Sequence, residues 1–558
     1  MKKIIASVLS AVMLVGSLSG CSFLGGDSGA VSSSSNKPKP EPTYQLEVTP
    51  TVYETDKIVT AEQTQAGSFD AWLAQSQSRE AMENSIIKSP FHTLTVNGEE
   101  VPVYTARTLR GAHSFAWIDG EKTRKDWYID VELTTKEAYG KCVALPESTG
   151  VDVSVEENTY TCKLTEFDTY TFTFAKEANA KVTKHDLAPL TLMVTEEKPF
   201  NLPDEYEEVV IEAGVHGDSE LKFTEEYKAY VVKEGYHEIA SISLPSNSLL
   251  YIEQGAYLDV RSGNTDAVLG SQGTYNVQII SRGLIDCGKM ISESGKHPFW
   301  MARVEDFYAE GLTIINSNTW TVALYDCTRA ELERNLLLGF RMFSDGIMMS
   351  DCVDSAGRYN FVRTGDDGIE FKATGWGSGT NIGSNCIYED NDCWSDRVSA
   401  YGLIWENARD ISGVTFKNNS VGFAEGCDVY RCPLEIRLGV NSKTKWEDIV
   451  YENIEVYYAE TQMVVCVRVH VTDDGAARGM GGIVNNLTYK NITVNAVEDG
   501  CVAFALGFTD EAQGAITNVT IENYNFCGKV LKESDKNNEA YFWNRAVGDL
   551  FEKELTVK

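Results

Sequence analysis

From about residue 200 to residue 535 the chain repeats one short pattern, in which apolar and polar residues alternate and the run ends on Asn. Copies include Leu312-Thr313-Ile314-Ile315-Asn316, Glu331-Leu332-Glu333-Arg334-Asn335, Val414-Thr415-Phe416-Lys417-Asn418-Asn419, Leu487-Thr488-Tyr489-Lys490-Asn491 and Val519-Thr520-Ile521-Glu522-Asn523. A period of two over four or five residues marks a half-buried strand, and no helical period lies between the copies. Recurrence at intervals of roughly 20 to 40 residues is the mark of a solenoid, in which each coil buries its apolar face only against its neighbours. Asn at the bend suits left-handed backbone and can ladder with the Asn of the coil above. A β-propeller would need four strands per blade and a blade motif, and neither is present. The pattern predicts an all-β chain built on a parallel β-helix over 200–535, with a C-terminal segment 536–558.

Ahead of it, residues 90–199 alternate differently. His92-Thr93-Leu94-Thr95-Val96, Trp127-Tyr128-Ile129-Asp130-Val131 and Tyr170-Thr171-Phe172-Thr173-Phe174 read as strands, and Asn97-Gly98 and Asp119-Gly120 supply hairpin turns. This predicts a small antiparallel β-sandwich of about 100 residues. Residues 22–89 read as tether and adaptor: Gly25-Gly26, Ser32 to Ser35 and Lys37-Pro38-Lys39-Pro40-Glu41-Pro42 give reach without a core, and a short helix is expected between Ser68 and Ile87. Residues 1–21 open with Lys2-Lys3, continue in an apolar run from Ile4 to Leu18 and end Leu18-Ser19-Gly20-Cys21. The run is too short for a membrane span. It resembles a bacterial lipoprotein signal, which implies cleavage before Cys21, lipidation of its thiol, and an exported protein anchored to the cell membrane facing outside.

Charge narrows the partners. With 82 acidic against 49 basic residues, a formal net charge of −33 argues against nucleic acid and mildly against a strongly polyanionic substrate. Besides Cys21, twelve cysteines remain without a CxxC pair, so no zinc site and no other metal is expected. Most are spread about one per coil, which fits small buried side chains, while Cys142 and Cys162 could pair across strands.

The chemistry concentrates in two turns. Phe343-Ser344-Asp345-Gly346-Ile347 is followed by Gly365-Asp366-Asp367-Gly368-Ile369, and 366 − 345 = 21 residues is about one coil. Neighbouring coils stand about 4.8 Å apart, so Asp345, Asp366 and Asp367 should converge at one spot. Asp-Gly is a common turn dipeptide. Three like charges together, however, cost stability unless one is protonated, which scaffold does not need and acid/base cleavage of a glycosidic bond does.

These turns, with Asn316-Ser317-Asn318-Thr319-Trp320, resemble the N-S-P-x-W, N-T-D-G and D-D motifs of family 28 glycoside hydrolases, the polygalacturonases and their relatives. Gly214-Val215-His216 and Leu250-Tyr251-Ile252-Glu253-Gln254-Gly255-Ala256-Tyr257 are similar to the first coils of the same clan, and a sandwich before the helix is similar to family 49, the dextranases and isopullulanases. The resemblance implies a right-handed helix and an inverting hydrolase without a cofactor. Asp366 would be the general acid, and Asp345 with Asp367 would position the water.

Several positions depart from the family. Asn318 stands for Pro and Phe343 for Asn, Ser399-Ala400-Tyr401-Gly402 replaces the Gly-His-Gly turn, and Arg437-Leu438-Gly439 keeps the Arg of Arg-x-Lys without the Lys. These departures leave room for a neutral glycan beside galacturonan. Arg437, Lys372, Trp394, Tyr401 and Glu406 are the expected substrate-binding residues, the Trp as a face for sugar stacking. The reading is a lipid-anchored, monomeric glycoside hydrolase acting on a pectin-type or dextran-type polysaccharide or oligosaccharide. Its alternatives are a Ca²⁺-dependent polysaccharide lyase and a non-catalytic glycan-binding solenoid.

Overall fold

The computed structural model describes residues 42–558 except 54–55, 75–81, 122–124, 181, 183–185, 199, 219, 262–266, 291–296, 427–430, 440–443, 471–481, 509–514 and 546–552. The signal, Cys21 and the tether lie outside the described residues.

Strict alternation builds the sandwich. Along Trp127–Thr135 the residues Trp127, Ile129, Val131 and Leu133 point inward, and this strand pairs antiparallel with His92–Val96 and Thr159–Leu164 in a six-stranded sheet. The opposing seven-stranded sheet carries Gly111–Gly120, Thr169–Ala175 and Leu190–Glu196, which are buried on both faces. The pairing of Leu190–Glu196 with Gly111–Gly120 is parallel, so the sandwich is antiparallel only in the main. It also draws on the expected adaptor: Tyr44–Gln45, Val48–Pro50 and Ile86–Lys88 add strands to the two sheets, and Phe69–Ala74 forms the short helix. Cys142 and Cys162 do not bond; they sit in opposite sheets as free thiols, both turned into the sandwich core.

Double burial of the second sheet has a direct cause: its outer face packs on the solenoid. Tyr104, Phe115, Trp117 and Met193 meet Tyr257, Ile315, Leu338, Phe361, Trp394 and Phe423 in one apolar cluster. Arg282 binds Asp119 at 2.9 Å and Arg363 binds Asp396 at 2.9 Å across or beside it, so the guanidiniums there are matched by carboxylates.

The solenoid is a right-handed parallel β-helix with three faces. Two of them merge into one continuous 24-stranded sheet, and the third is an 11-stranded sheet running from Ile242–Ser243 to Phe542–Arg545. The last coil therefore uses the C-terminal segment: Phe542–Arg545 pairs with Val502–Phe508, and Leu555–Val557 pairs with Ala515–Glu522. Inside, like sits on like, as the in-register stacking of Tyr388, Phe416, Tyr451 and Tyr489 shows with ring centroids 5.1, 4.6 and 5.0 Å apart.

Asn performs two tasks at the bends. Asn418, Asn453, Asn491 and Asn523 take positive φ and ladder amide to amide on the surface. Asn335, Asn360, Asn391 and Asn419 stand one residue past such a bend and ladder inside, at 2.8, 2.8 and 3.0 Å. Breaking one rung of the buried ladder leaves polar atoms unsatisfied, at a cost of about 1–3 kcal/mol each.

Candidate active site

The two Asp-Gly turns lead into Ile347–Ser350 and Ile369–Ala373 of the third sheet. Their backbones stack rung on rung: Thr321 N–H donates to Asp345 O, Gly346 N–H to Asp367 O and Gly368 N–H to Ser399 O, each at 2.8 Å. Glycine is required by this close approach. A Cβ on Gly346 would lie 2.2 Å from the Gly368 carbonyl oxygen, and one on Gly368 would lie 2.7 Å from that of Ala400.

The same register corrects the expected pairing. Ile347 faces Ile369, so Asp345 stacks on Asp367, 22 residues on, and Asp366 stands to the side. Asp366 receives the Phe343 N–H at 3.2 Å and pairs with Arg397 at 3.3 Å. Phe343, half exposed, holds φ +74°, a left-handed conformation that Asn adopts more readily than Phe.

A fourth carboxylate completes the group. Glu370 projects from the outer face of Ile369–Ala373, while Ile369 and Phe371 point into the core. Asp345, Asp367 and Glu370 bring one carboxylate oxygen each within 4.8 Å of one another. Lys372, on the same outer row, places Nζ 3.2 Å from Glu370 Oε2 and 2.6 Å from Glu406 Oε2. The signal for Glu370 was present in Ile369-Glu370-Phe371-Lys372, where alternation puts the two charged residues on one face.

Proton affinities separate within the group. Burial first, then the charges of Asp366 and Glu370, push Asp345 well above the carboxylate range against the pull of Lys372. Asp367 is raised by burial and Asp366, with Arg431, Arg437 and Lys372 opposing. Burial pushes Glu370 up to about 8, although Lys372 opposes it. Burial works against a charged Lys372, but Glu370, Glu406, Asp345 and Asp367 outweigh it and raise its pKa.

Beyond this group the row continues through Gly402 to Glu435. Ser399 joins the two: its N–H reaches Asp367 Oδ1 at 3.3 Å and its hydroxyl donates to Glu435 Oε2 at 2.6 Å. Glu435 is ringed by Arg468, Arg437 and Arg431 at 3.2, 3.4 and 3.6 Å. Burial opposes its ionisation, yet Arg437, Arg468 and Arg431 together bring its pKa down to about 2. Arg437 thus joins the expected site, and Glu435, Arg431 and Arg468 were not anticipated.

Two expected ligands are elsewhere. Trp394 is 1% exposed and packs between Phe423 and His113 under the sandwich. Its strand, Asp392–Ser395, belongs to a face that the sandwich covers. Tyr401 is fully buried because it shares the inward row with Ile369 and Leu434, and its hydroxyl donates to the carbonyls of Asn391 and Ser420. The neighbouring Gly402, not Tyr401, faces outward beside Glu370. On the other side of the carboxylates, Trp300 and Trp320 pack with Tyr325 and Met348.

No family model matches the chain, and no curated protein matches it. Among solved structures, Dex49A from Penicillium minioluteum aligns with 92% of this chain and 100% of its own at a TM-score of 0.64 and 11% identity. The family 28 exopolygalacturonase of Yersinia enterocolitica covers 92% of this chain and 98% of its own, at 0.43 and 12%. The endo-xylogalacturonan hydrolase of Aspergillus tubingensis covers 62% and 95%, at 0.44 and 10%. At such identities the likeness to Dex49A is one of fold alone.

Proposed function

We propose that this protein is a glycoside hydrolase that cleaves a polysaccharide or oligosaccharide by general acid/base catalysis at Asp345, Asp366 and Asp367. The observation that carries the reading is the convergence of Asp345, Asp367 and Glu370 within 4.8 Å on the outer face of the third sheet, with Asp366 at its rim. Such a set can hold a proton at one carboxyl and leave another ionised, the division of labour that glycoside hydrolysis requires. Burial and the neighbouring carboxylates raise the pKa of Asp345, and burial raises that of Glu370 against the pull of Lys372. In the reading taken from family 28, Asp366, at the accessible edge, is the general acid that protonates the leaving oxygen, and Asp345 with Asp367 positions the water. Inversion of the anomeric centre belongs to the same reading.

Substrates of the pectin and dextran types both stay in view, since the resemblance spans families 28 and 49. Reducing-sugar release from polygalacturonate, rhamnogalacturonan, dextran and pullulan, with Asp366→Asn as the blank, tests the proposal. Hydrolysis of one polymer, lost in the variant, supports it; equal release by both proteins overturns it. Proton NMR of the first product anomer checks inversion.

Three carboxylates this close also favour a second reading, a lyase that binds Ca²⁺ through Asp345, Asp367 and Glu370. That reading requires chelation to abolish activity and the products to absorb in the ultraviolet. We further propose that the enzyme works outside the membrane, tethered by a lipidated Cys21; loss of radiolabelled palmitate in Cys21→Ser checks this.

A further inference from the structure

The segment between Thr374 and Gly383 crosses back over earlier coils and ends in a fixed position. Asp326 accepts the Gly379 N–H at 3.1 Å, and Arg409 ties Asp326, Gly379 O and Asn381 O at 3.1, 2.8 and 2.9 Å. Gly375 N–H donates to Asp351 Oδ2 at 2.7 Å, and Arg303 holds Gly377 O. A Cβ on Gly377 would lie 2.1 Å from Asp326 Oδ2, so the segment fits tightly where it lies.

This anchored segment presents Trp376. Its ring lies parallel to that of Trp320, 7° apart in plane with centroids 5.7 Å apart, and Trp376 keeps 54% of its surface in solvent. Trp320 stacks in turn on His297 at 5.6 Å. The column adjoins the carboxylates, because Lys372 Nζ stands 4.7 Å above Trp320 and 3.2 Å from Glu370. Trp376 and Trp320 together make an aromatic platform with one face open to solvent beside the carboxylates.

The charges around it state what it accepts. Lys372 is matched by Glu370 and Glu406, Arg409 by Asp326 and Asp351, and Arg397 by Asp366. Burial holds His297 down to about 4, so it is neutral at ordinary pH. A uronate carboxylate seated on this flank would meet cations that already have acidic partners, and it would face Glu406 and Asp366 besides. The C–H face of an uncharged pyranose meets no such opposition and matches a flat ring.

We propose that Trp376, backed by Trp320, is a sugar-stacking subsite for an uncharged pyranose on the upstream side of the carboxylates. This rests on the hydrolase reading for its place in a reaction but not for binding itself. The test is affinity electrophoresis of the full chain carrying Asp367→Asn, which leaves the Arg397–Asp366 pair in place, in gels containing dextran, pullulan, xyloglucan, galactomannan or polygalacturonate. Trp376→Ala and Trp376→Phe are compared in that background, with circular dichroism to confirm the fold.

Retardation by a neutral polymer should fall about 10- to 100-fold in affinity with Trp376→Ala, the loss of an aromatic anchor, and recover largely with Trp376→Phe. In the active chain the same change should raise KM. If wild-type protein binds a neutral polymer through Trp376 but hydrolyses none, the subsite stands and the hydrolase reading fails. Hydrolysis and neutral binding that ignore Trp376→Ala, retardation by polygalacturonate alone, or no retardation by any neutral polymer would overturn the subsite.

Discussion

Glu370 and Glu435 stand in one outward row of the third sheet, two coils apart, and both are fully buried. One is pushed up to about 8 and the other brought down to about 2. Burial works the same way on both, so the neighbours decide. Upstream, the row is flanked by Trp300, Trp320, Tyr325 and Met348, and a single ammonium is shared between Glu370 and Glu406. Downstream, three guanidiniums enclose one carboxylate. The repeating backbone offers equivalent positions, and side chains from adjoining coils turn one flank aromatic and the other cationic. Between them Asp345 and Asp367 receive opposed influences, as the proposed acid/base role requires.

The comparison can be broken hardest at its centre. Asp366→Asn and Asp367→Asn should each lower hydrolysis by roughly 10²- to 10⁴-fold, the usual weight of an acid/base group, measured as reducing-sugar release. A reduction below tenfold in both would remove the catalytic role from these turns. The downstream flank should be broken next by Glu435→Gln, which strands three guanidiniums without their counter-charge. Losing one partner of a buried ion pair costs about 3–5 kcal/mol, to be read from urea unfolding.

The upstream glutamate gives a change with a sign. With the pKa of Glu370 raised from the ordinary 4.5 to about 8, the folded state holds a proton that the unfolded state has lost within that window. Its contribution is complete below pH 4.5 and fades as pH rises through about 8. Glu370→Gln should therefore flatten the fall in thermal midpoint across that range, and a profile parallel to wild type would refute the shift. Glu435 runs the other way: its contribution is present above about 4.5 and is lost as pH falls toward about 2. Smallest is Phe343→Asn, which places an αL-tolerant residue at φ +74°. It should stabilise the fold by about 1 kcal/mol in thermal melts, since only Asn, Asp and Gly sit there readily.

Part of the site was legible because solenoid spacing is regular. Asp345, Asp366 and Asp367 could be brought together from two Asp-Gly turns, Lys372 from its place shortly after them, and Arg437 from the resemblance to Arg-x-Lys alone. The register slipped by one residue, from Asp366 to Asp367 as the partner of Asp345, because coil length varies with its bends and a pattern fixes the period only to within a residue or so. Parity was the second source of error. In a strand a shift of one residue exchanges inside for outside, which is how Tyr401 took the place that Gly402 holds. Glu370 obeys the same rule and was readable from Ile369 and Phe371 beside it.

Trp394 shows where such reading ends. Its strand is as outward-facing as any, but an outer face is solvent only if nothing covers it, and here the sandwich does. The Trp320–Trp376 column is of the same kind, assembled across coils by a segment whose course no local pattern records, and Arg468 reaches Glu435 from the next coil in the same way. Alternation, Asn at the bends and glycine beside Asp are local demands of strand parity, backbone conformation and coil spacing, so the sequence alone determined the β-helix, the sandwich and the carboxylate turns. Which face was covered, which residue stood opposite which, and which charges found partners depended on distances between remote segments, and only the tertiary structure decided them.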